Sequence, residues 1–220
     1  MTNLFINGLS GKMGSSLKQV ISKTKGISIV SSLVDSDVVI DFSRPESTIE
    51  ILSQCEHNKL PIVIGTTGFN KEQIEKIKGA SSNIPVLLSY NMSMGIYNLK
   101  KSIDAFLEQN NNELDCIILD IHHKDKIDSP SGTAIELKEL IQDHSNSELI
   151  RSISIESERT SDVFGIHKIR FFNQDNDEYF KHEALSRNIF SEGAIYLAQS
   201  ISDKPAGMYS LKDFFNSKLL

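Results

Sequence analysis

The residue types best suited to chemistry lie together in one stretch, from Asp120 to Thr133. This stretch contains two adjacent histidines, His122 and His123, and it contains Lys126. A histidine titrates near neutrality and can exchange a proton with a bound molecule, while a lysine supplies positive charge or a second proton. These residue types favour acid–base chemistry on an anionic small molecule.

A helix is predicted to begin at the end of this stretch. Ser129 or Thr133 is suited to cap it, and Pro130 suits its first turn. The backbone N–H groups of Ser131, Gly132 and Thr133 would then lie at the positive end of the helix dipole, where anions bind. Because Gly132 has no side chain, a ligand can approach the backbone there.

Two other interpretations fit the same residues. Lysines and histidines in a loop are often only solvated, and in a strand His122 and His123 would point to opposite faces. Asp120 and His122 share a strand face, so a metal site is conceivable, but the sequence offers no clear third ligand. The sequence therefore predicts no metal.

Composition limits the class of protein. The 220 residues carry 39% hydrophobic and 24% charged residues, which is typical of a soluble globular protein with one large or two small domains. A net charge of −6 argues against a nucleic-acid surface. Cys55 and Cys116 have no CxxC spacing and are predicted to be buried free thiols. No leader or apolar run of membrane-spanning length is recognised, so a cytoplasmic protein with no membrane partner is expected.

The N-terminus carries a pattern typical of dinucleotide binding. A short apolar strand at Leu4–Ile6 leads into glycines at 8, 11 and 14, and a helix is predicted to follow to about residue 23. Such a turn lets a backbone approach a pyrophosphate at a helix N-terminus. The spacing is G-x-x-G-x-x-G rather than G-x-G-x-x-G, and a purely structural turn is the alternative.

The pattern then alternates between buried strands and helices as far as residue 91, which predicts a parallel sheet covered on both faces. Ligands of such sheets bind at the carboxyl ends of the strands, which are expected at Gly8–Gly14, Asp41–Phe42, Gly65–Thr67 and Ser89–Met92. Ser43–Glu46 is predicted to be a capping box. Extended segments beyond Glu148 indicate a second, half-exposed and largely antiparallel sheet, and the two domains are predicted at residues 1–91 and 92–202.

Several blocks of residues share a pattern with one known family. They are Gly8-Leu-Ser-Gly-Lys-Met-Gly14, Val39-Ile-Asp-Phe-Ser-Arg-Pro45, Gly65-Thr-Thr-Gly68, Asn91-Met-Ser-Met-Gly95, His122-His-Lys-Asp-Lys-Ile-Asp-Ser-Pro-Ser-Gly-Thr-Ala134, Gly165-Ile-His167, His182, Ser186-Arg187, Gly193-Ala194 and Pro205-Ala-Gly-Met-Tyr209. Over almost its full length the chain resembles the dihydrodipicolinate reductase (4-hydroxy-tetrahydrodipicolinate reductase) family of lysine biosynthesis, and in particular its shorter members.

This resemblance implies an enzyme that uses NADH, NADPH or both to convert the cyclic dicarboxylate 4-hydroxy-tetrahydrodipicolinate into tetrahydrodipicolinate. His122 resembles the acid–base histidine of the family and Lys126 its second proton donor. Matching substrate-binding positions are His123, Gly132 and Thr133, to which the predicted helix start adds Ser131. Matching cofactor-binding positions are Gly8, Leu9, Ser10, Gly11, Lys12, Met13, Gly65, Thr66, Thr67, Ser89, Tyr90, Asn91 and Met92.

The resemblance also implies an architecture. It is an α/β fold with a Rossmann-like parallel sheet in the cofactor domain, and the second α+β domain, on a mixed open sheet, binds substrate and builds a homotetramer. Residues 203–220 would pack back onto the cofactor domain.

One segment departs from the family pattern. Most members carry more sequence between the second strand and the Asp-Phe block, where this chain has only the residues from Ser31 to Asp37. Asp35 lies at a suitable distance past the glycines to contact a ribose 2′-hydroxyl. Ser31, Ser32 and Lys12 are the alternative, as a site for a 2′-phosphate. Both cofactors are therefore predicted.

Two rival functions remain open at this stage. One is a reductase of another cyclic imine or semialdehyde acid, which the same helix start and His-Lys group would suit. The other is a nicotinamide-binding sensor without turnover, against which the intact His122 and Lys126 argue.

Overall fold

The computed structural model describes residues 1–161 and 163–215, and in that part of the chain it contains ten strands and seven helices. The strands are Thr2–Asn7 (β1), Ile27–Ile29 (β2), Val38–Asp41 (β3), Ile62–Ile64 (β4), Pro85–Leu88 (β5), Leu114–His123 (β6), Ile150–Thr160 (β7), Gly165–Phe172 (β8), Asp177–Ala184 (β9) and Gly207–Tyr209 (β10). The helices are Lys12–Ile21 (α1), Pro45–Asn58 (α2), Lys71–Ala80 (α3), Met94–Gln109 (α4), Gly132–Gln142 (α5), Asn188–Ile201 (α6) and Lys212–Phe215 (α7).

The chain forms two compact units. Among the described residues, 1–93 and 187–215 form the first unit, and those between 94 and 186 form the second. None of the helices in the described residues is long and apolar enough to cross a membrane.

The first unit contains a six-stranded sheet in the order β10-β5-β4-β3-β1-β2, in which every neighbouring pair is parallel. Its strands are short apolar runs because both faces are covered: β3 and β4 are fully buried. Helices α2 and α3 pack on the sheet around Ile51, Ile62 and Ile77. This is the Rossmann-like arrangement that the strand and helix alternation predicts.

Helix α6 lies in the first unit, whereas the sequence places it in the second domain. It packs against α1 and against strands β3 and β4. The Ser191 hydroxyl donates to Ser16 Oγ at 2.8 Å, and the Ser16 hydroxyl donates to Asn188 Oδ1 at 2.9 Å. The apolar face of α6 thus covers the parallel sheet, so the boundary falls near residue 187 rather than at residue 202.

The C-terminal segment also belongs to the first unit. Strand β10 adds to the edge of the sheet beside β5, with Met208 paired to Val86. The predicted return of residues 203–220 concerns residues 216–220 too, and these lie outside the described residues.

The second unit contains a four-stranded mixed sheet in the order β7-β6-β8-β9. Strand β6 is parallel to β7 and antiparallel to β8, and β8 is antiparallel to β9. Strict alternation of buried and partly exposed residues along β6 shows that one face is covered. Helices α4 and α5 contribute to that core, with Ile103, Leu137 and Phe171 at its centre.

Two predicted helix starts are wrong in detail. Helix α2 begins after Arg44, with no side-chain cap among its described residues, because the Ser43 hydroxyl donates instead to Asp41 Oδ1 at 2.6 Å. Helix α5 begins after Ser131, whose side chain accepts from the Ala134 N–H, so neither Ser129 nor Thr133 is its cap.

Candidate active site

Strand β6 delivers the two histidines to opposite faces, as its alternation predicts. Asp120 and His122 lie on the covered face and are buried, with exposed fractions of 0% and 8%. His123 lies on the other face and is partly exposed. Only one of the two adjacent histidines therefore belongs to the buried polar group of the second unit.

Asp120 is the centre of this buried group. Its Oδ2 accepts from the Ser131 N–H at 2.9 Å, its Oδ1 accepts from the Ser131 hydroxyl at 2.7 Å, and Ser157 donates to Oδ2 at 3.2 Å. Burial opposes ionisation of Asp120, but the contacts with His122 and His167 and the hydrogen bonds from Ser131 hold its pKa well below the usual range. Asp120 is therefore a carboxylate at every working pH.

His122 lies against this carboxylate. Its Nδ1 is 2.9 Å from Asp120 Oδ1, but among the described residues that nitrogen has no partner with hydrogen-bond geometry, so the contact is electrostatic rather than a directed bond. The other ring nitrogen faces Gly165, where an added Cβ would lie 2.9 Å from Nε2. Glycine at this position leaves the space that the imidazole ring occupies.

His167 completes the group from the neighbouring strand β8. Its Nε2 lies 3.2 Å from Ser131 Oγ and 3.4 Å from Asp120 Oδ1, and its ring meets the His122 ring edge-on at a centroid distance of 5.1 Å. Burial lowers the pKa of His167, an effect that Asp120 opposes and the charge of His122 reinforces. A neutral imidazole at neutral pH follows.

The three groups Asp120, His122 and His167 offer one ligand atom each within 4.8 Å of one another. His167 is thus the third potential metal ligand that the sequence alone does not identify. However, Ser131 already donates to both oxygens of Asp120, and the Arg159 Nη2 lies 3.3 Å from Oδ2 and balances the charge. A divalent cation would have to compete with a guanidinium, so the donor set favours a hydrogen-bonded network.

The loop after β6 carries Lys126. Its ammonium pairs with Asp128 Oδ1 at 2.8 Å, and its side chain is 24% exposed. Burial opposes ionisation of Asp128, but the hydrogen bond from Lys126 and the Gly132 N–H lower its pKa. In this arrangement a carboxylate of the chain itself lies between the lysine and the start of α5.

The start of α5 differs from the prediction at one residue. The Ser131 N–H is not free, because it donates to Asp120, and Ser131 is only 2% exposed. The next N–H groups of the helix are that of Gly132, which interacts with the Asp128 carboxylate, and that of Thr133, and both lie at the positive end of the helix dipole. Ser131 thus fixes the helix start, and a ligand carboxylate at Gly132 would take the place of Asp128.

The glycine turn of the first unit has the shape that a dinucleotide site requires. Gly8 has a φ of +89°, and an added Cβ would lie 2.2 Å from the Phe42 carbonyl oxygen, so only glycine fits there. Helix α1 begins after Gly11, and no side chain of the described residues caps it. Leu9, Ser10, Lys12 and Met13 surround this uncapped helix start, which suits a pyrophosphate.

The other predicted cofactor residues follow the neighbouring strands of the same sheet. Gly65, Thr66 and Thr67 come directly after β4, and Ser89, Tyr90, Asn91 and Met92 come directly after β5. The ends of β1, β3, β4 and β5 lie at one edge because the strands are parallel. Thr66 and Met92 are buried within this edge, whereas Thr67 and Tyr90 are exposed.

Residues of the shortened segment follow β2 at the same edge. Asp35 lies in a short 3₁₀ turn, Leu33–Asp35, and is exposed, as are Ser31 and Lys12. A side chain is therefore accessible both for contact with a ribose 2′-hydroxyl, through Asp35, and for contact with a 2′-phosphate, through Ser31 and Lys12.

A dinucleotide-type parallel sheet in one unit, and a buried His–Asp group beside a helix start in the other, are the features of a two-domain dehydrogenase or reductase. Sequence comparison identifies the family. The model of the family described as dihydrodipicolinate reductase, C-terminus, matches residues 95–215, and that of the N-terminus matches residues 30–92. The chain belongs to the dihydrodipicolinate reductase family.

Curated relatives agree over the whole length. A 4-hydroxy-tetrahydrodipicolinate reductase from Clostridium novyi is 34% identical, with 99% of this chain and 100% of the relative covered. One from Clostridium tetani is 35% identical, with 99% and 98% covered. The first alignment spans 254 positions against the 220 residues of this chain, so that relative carries segments that are missing here.

The fold agrees with a solved member. Dipicolinate-bound dihydrodipicolinate reductase from Paenisporosarcina sp. TG-14 has a TM-score of 0.76 and 19% identity, with 96% of this chain and 97% of that chain covered. As a member of this family, the chain is an NAD(P)H-dependent oxidoreductase of the route to diaminopimelate and lysine.

Proposed function

We propose that the chain reduces 4-hydroxy-tetrahydrodipicolinate to tetrahydrodipicolinate, with loss of water, using NADH or NADPH. The observation that carries this proposal is the second unit's group of His122, Lys126 and the α5 start. His122 lies 2.9 Å from a permanently ionised Asp120, and Asp120 in turn holds the cap of α5. Acid–base groups and an anion-binding helix start are thus built as one structure, as a reaction on a cyclic dicarboxylate requires.

Each residue of this group has a distinct part in the proposed reaction. The nicotinamide, when bound, supplies a hydride. The N–H groups of Gly132 and Thr133 bind one substrate carboxylate, and His123 from the other face of β6 is a further binding residue. Lys126 exchanges its Asp128 partner for the substrate and, with His122, donates a proton. Asp120 Oδ1, 2.9 Å from Nδ1, orients the His122 ring.

The proposed cofactor site is the edge of the parallel sheet. Residues 8–13, 65–67 and 89–92 supply the glycine turn, the uncapped helix start and the neighbouring strand ends. Lys12 and Asp35 represent opposite preferences, because a cation favours a 2′-phosphate and a carboxylate favours a 2′-hydroxyl. With both present, use of both nicotinamides is proposed, and the place of action is the cytoplasm.

The decisive experiment is a cofactor-oxidation assay with substrate made freshly from pyruvate and aspartate semialdehyde. It is run with NADH and with NADPH, and pyridine-2,6-dicarboxylate is added at several concentrations. The proposal expects turnover with both nicotinamides and inhibition that competes with the substrate. Absence of turnover with both nicotinamides, or inhibition that competes only with the nicotinamide, would contradict the proposal.

A homotetramer built through the open face of the mixed sheet is also proposed. That face presents Ile117, Leu119 and Ile121 from β6, all only partly buried. Acidic and basic residues lie on opposite sides of these apolar residues. On β7, Glu156 is paired in register with Leu119, and on β8, Lys168 is paired with the other side of Leu119. A second copy related by a two-fold axis parallel to the strands would therefore place acidic residues over basic ones.

Light scattering tests this assembly. The mass expected is that of four chains, and Leu119→Glu should reduce it because a buried carboxylate would lie unpaired at the interface. The matched control is Val34→Glu, which changes an apolar residue that is 69% exposed in the first unit and should leave the mass unchanged. A monomeric mass for the unmodified protein at assay concentration would refute the assembly.

A further inference from the structure

We propose that Asp120 and Arg159 form a positioning pair that holds His122, the Lys126 loop and the start of α5 in one arrangement. This inference rests on the proposed function, because it assigns two supporting residues to the same reaction. Neither residue touches the proposed substrate. They act through the groups that do.

Arg159 is the residue that connects strand and loop. From β7 its Nη2 lies 3.3 Å from Asp120 Oδ2 and donates to the Asp128 carbonyl at 2.7 Å. Its Nη1 donates to the Asp120 carbonyl at 3.3 Å and to the Glu158 carbonyl at 2.8 Å. One guanidinium thus contacts β7, β6 and the loop that carries Lys126.

Among the described residues, few other contacts fix the loop between β6 and α5. Between β6 and α5 most side chains are exposed, and Ile127 is 98% exposed. Ahead of Ser131, two contacts that hold the loop backbone are the Lys126 N–H to the His123 carbonyl at 3.1 Å and Arg159 to the Asp128 carbonyl. An exposed loop has high conformational entropy, so removal of a fixed contact disperses the position of Lys126.

Asp120 connects Arg159, which contacts the loop, to His122 and to the start of α5. Its Oδ1 faces His122, His167 and the Ser131 hydroxyl, while its Oδ2 takes the Ser131 N–H and Arg159. Because each oxygen serves a different set of partners, a change at this one carboxylate alters the acid–base histidine and the anion-binding helix start together. The pair is therefore a link between proton handling and carboxylate binding.

The two members can be tested by different chemical changes. Asp120→Asn keeps the shape and removes the charge. Arg159→Lys keeps the charge and removes the planar fork, so one ammonium cannot reproduce the contacts that Nη1 and Nη2 make together with Asp120, Glu158 and Asp128. The matched control is Arg151→Met, since Arg151 also joins β7 to β6 through an ion pair, with Asp115, but at the far end of the strands.

The experiment measures kcat, KM, the Kd for pyridine-2,6-dicarboxylate by calorimetry, and the Tm of each variant. Asp120→Asn is expected to lower kcat by about 10- to 100-fold, a part of the 10²–10⁴-fold that a positioned acid–base group supplies. Arg159→Lys is expected to weaken dicarboxylate binding as well as turnover. In Arg159→Ala, added guanidinium ion should restore part of the turnover. Arg151→Met should match the unmodified enzyme, and nicotinamide binding should be unchanged throughout.

The outcomes separate the two proposals. If the unmodified protein shows no turnover, the proposed reaction fails, while the effect of the variants on dicarboxylate affinity still tests the pair. If turnover is present and both Asp120→Asn and Arg159→Lys stay within about twofold of it in kcat and Kd, the pair has no positioning role. If Asp120→Asn does not fold, Arg159→Lys, the guanidinium rescue and the Arg151→Met control decide the question.

Discussion

A single residue such as His122 has its chemistry set by its surroundings. The ring lies between a carboxylate at 2.9 Å from Nδ1 and the bare backbone of Gly165 beside Nε2. The carboxylate contacts the ring from one side, and the glycine leaves the space in which the ring lies. The position of His122 is therefore set from two different strands.

Gly165→Ala tests whether the lack of a side chain at residue 165 determines the position of the His122 ring. The new methyl group would lie 2.9 Å from His122 Nε2 and 3.2 Å from Cδ2, so the ring must move by several tenths of an ångström. We expect kcat to fall about tenfold or more, since small displacements of catalytic groups are costly. Gly79→Ala in α3 is the control, because nothing lies within 4 Å of the added Cβ there. Equal kcat values for the two variants would show that His122 is not held by Gly165.

Replacement of the two proposed proton donors should distinguish them from the proposed binding residues. His122→Ala and Lys126→Ala should each lower kcat by about 10²–10⁴-fold, much more than they raise KM. Thr133→Val should chiefly raise KM, and His123→Ala should raise KM with a smaller loss of turnover. Steady-state kinetics on the four variants, with calorimetry of nicotinamide binding, measure this. Near-normal turnover of His122→Ala and Lys126→Ala at saturating substrate would show that these residues do not transfer protons and serve only to bind a substrate carboxylate.

The sequence identifies His122 and Lys126 as candidates because they lie in one short stretch. It does not identify Arg159 or His167 as parts of the same group, since their partner Asp120 is 39 residues from Arg159 and strand pairing brings them together. A signal was present: both are polar residues at covered-face positions of alternating strands. Such a residue needs a partner, but the sequence cannot say which one.

At the scale of elements, strand ends in the first unit are held together by Asp41. This fully buried carboxylate accepts from Asn7 at 2.8 Å, Ser43 at 2.6 Å, Thr48 at 2.5 Å and Thr66 at 2.8 Å. Those donors come from the end of β1, the loop after β3, helix α2 and the loop after β4. No ion pair of the described residues involves Asp41, so neutral donors alone satisfy it.

Asp41→Ala should therefore weaken nicotinamide binding at the proposed cofactor site. Four donors would lose their acceptor, and the loops after β1, β3 and β4 would no longer be fixed to one another. We expect a rise in the nicotinamide Kd and a lower Tm, since each buried donor left unsatisfied costs about 1–3 kcal/mol. Affinity for pyridine-2,6-dicarboxylate should stay unchanged. Glu50→Ala, an exposed acidic residue of α2, is the control. Loss of dicarboxylate affinity together with nicotinamide affinity would instead indicate general unfolding.

The alternation of strands and helices predicts the parallel sheet well, because each strand is a short run of Val and Ile between turn residues. The sheet on which α6 packs is not predicted by the sequence. Its apolar face is evident from the sequence, but an apolar face does not specify which sheet it covers. The chain returns to the first sheet after the second unit, and only the packing of α6 with α1 shows this.

At the scale of the whole molecule, the mixed sheet carries a row of polar residues, of which Asp120 and His167 are buried. Strand pairing aligns Ser157, Asp120, His167 and His182 across all four strands. Burial lowers the pKa of His182, as it does that of His167, and the charge of His167 lowers the pKa of His182 further. The fold therefore contains two histidines that resist protonation.

This row predicts how the stability of the protein depends on pH. Both histidines have a lower pKa in the folded state than in the unfolded state, where it is about 6.5. Above that pH the two histidines are neutral in both the folded and the unfolded state. As the pH falls from about 7 to about 5, the unfolded chain binds protons that the folded chain refuses, and the Tm should fall. Asp120 adds nothing in this window because its pKa is lowered and it stays ionised.

Thermal unfolding followed across this pH range checks the prediction. In the double variant His167→Gln, His182→Gln the fall in Tm should become shallower, because the two groups that take up protons on unfolding are gone. His57→Gln, which changes an exposed histidine of α2, should keep the slope of the unmodified protein. The groups that interact with His167 are Asp120, Ser131, His122, His182 and Lys126. An unchanged slope in the double variant would show that His167 and His182 do not cause the pH dependence.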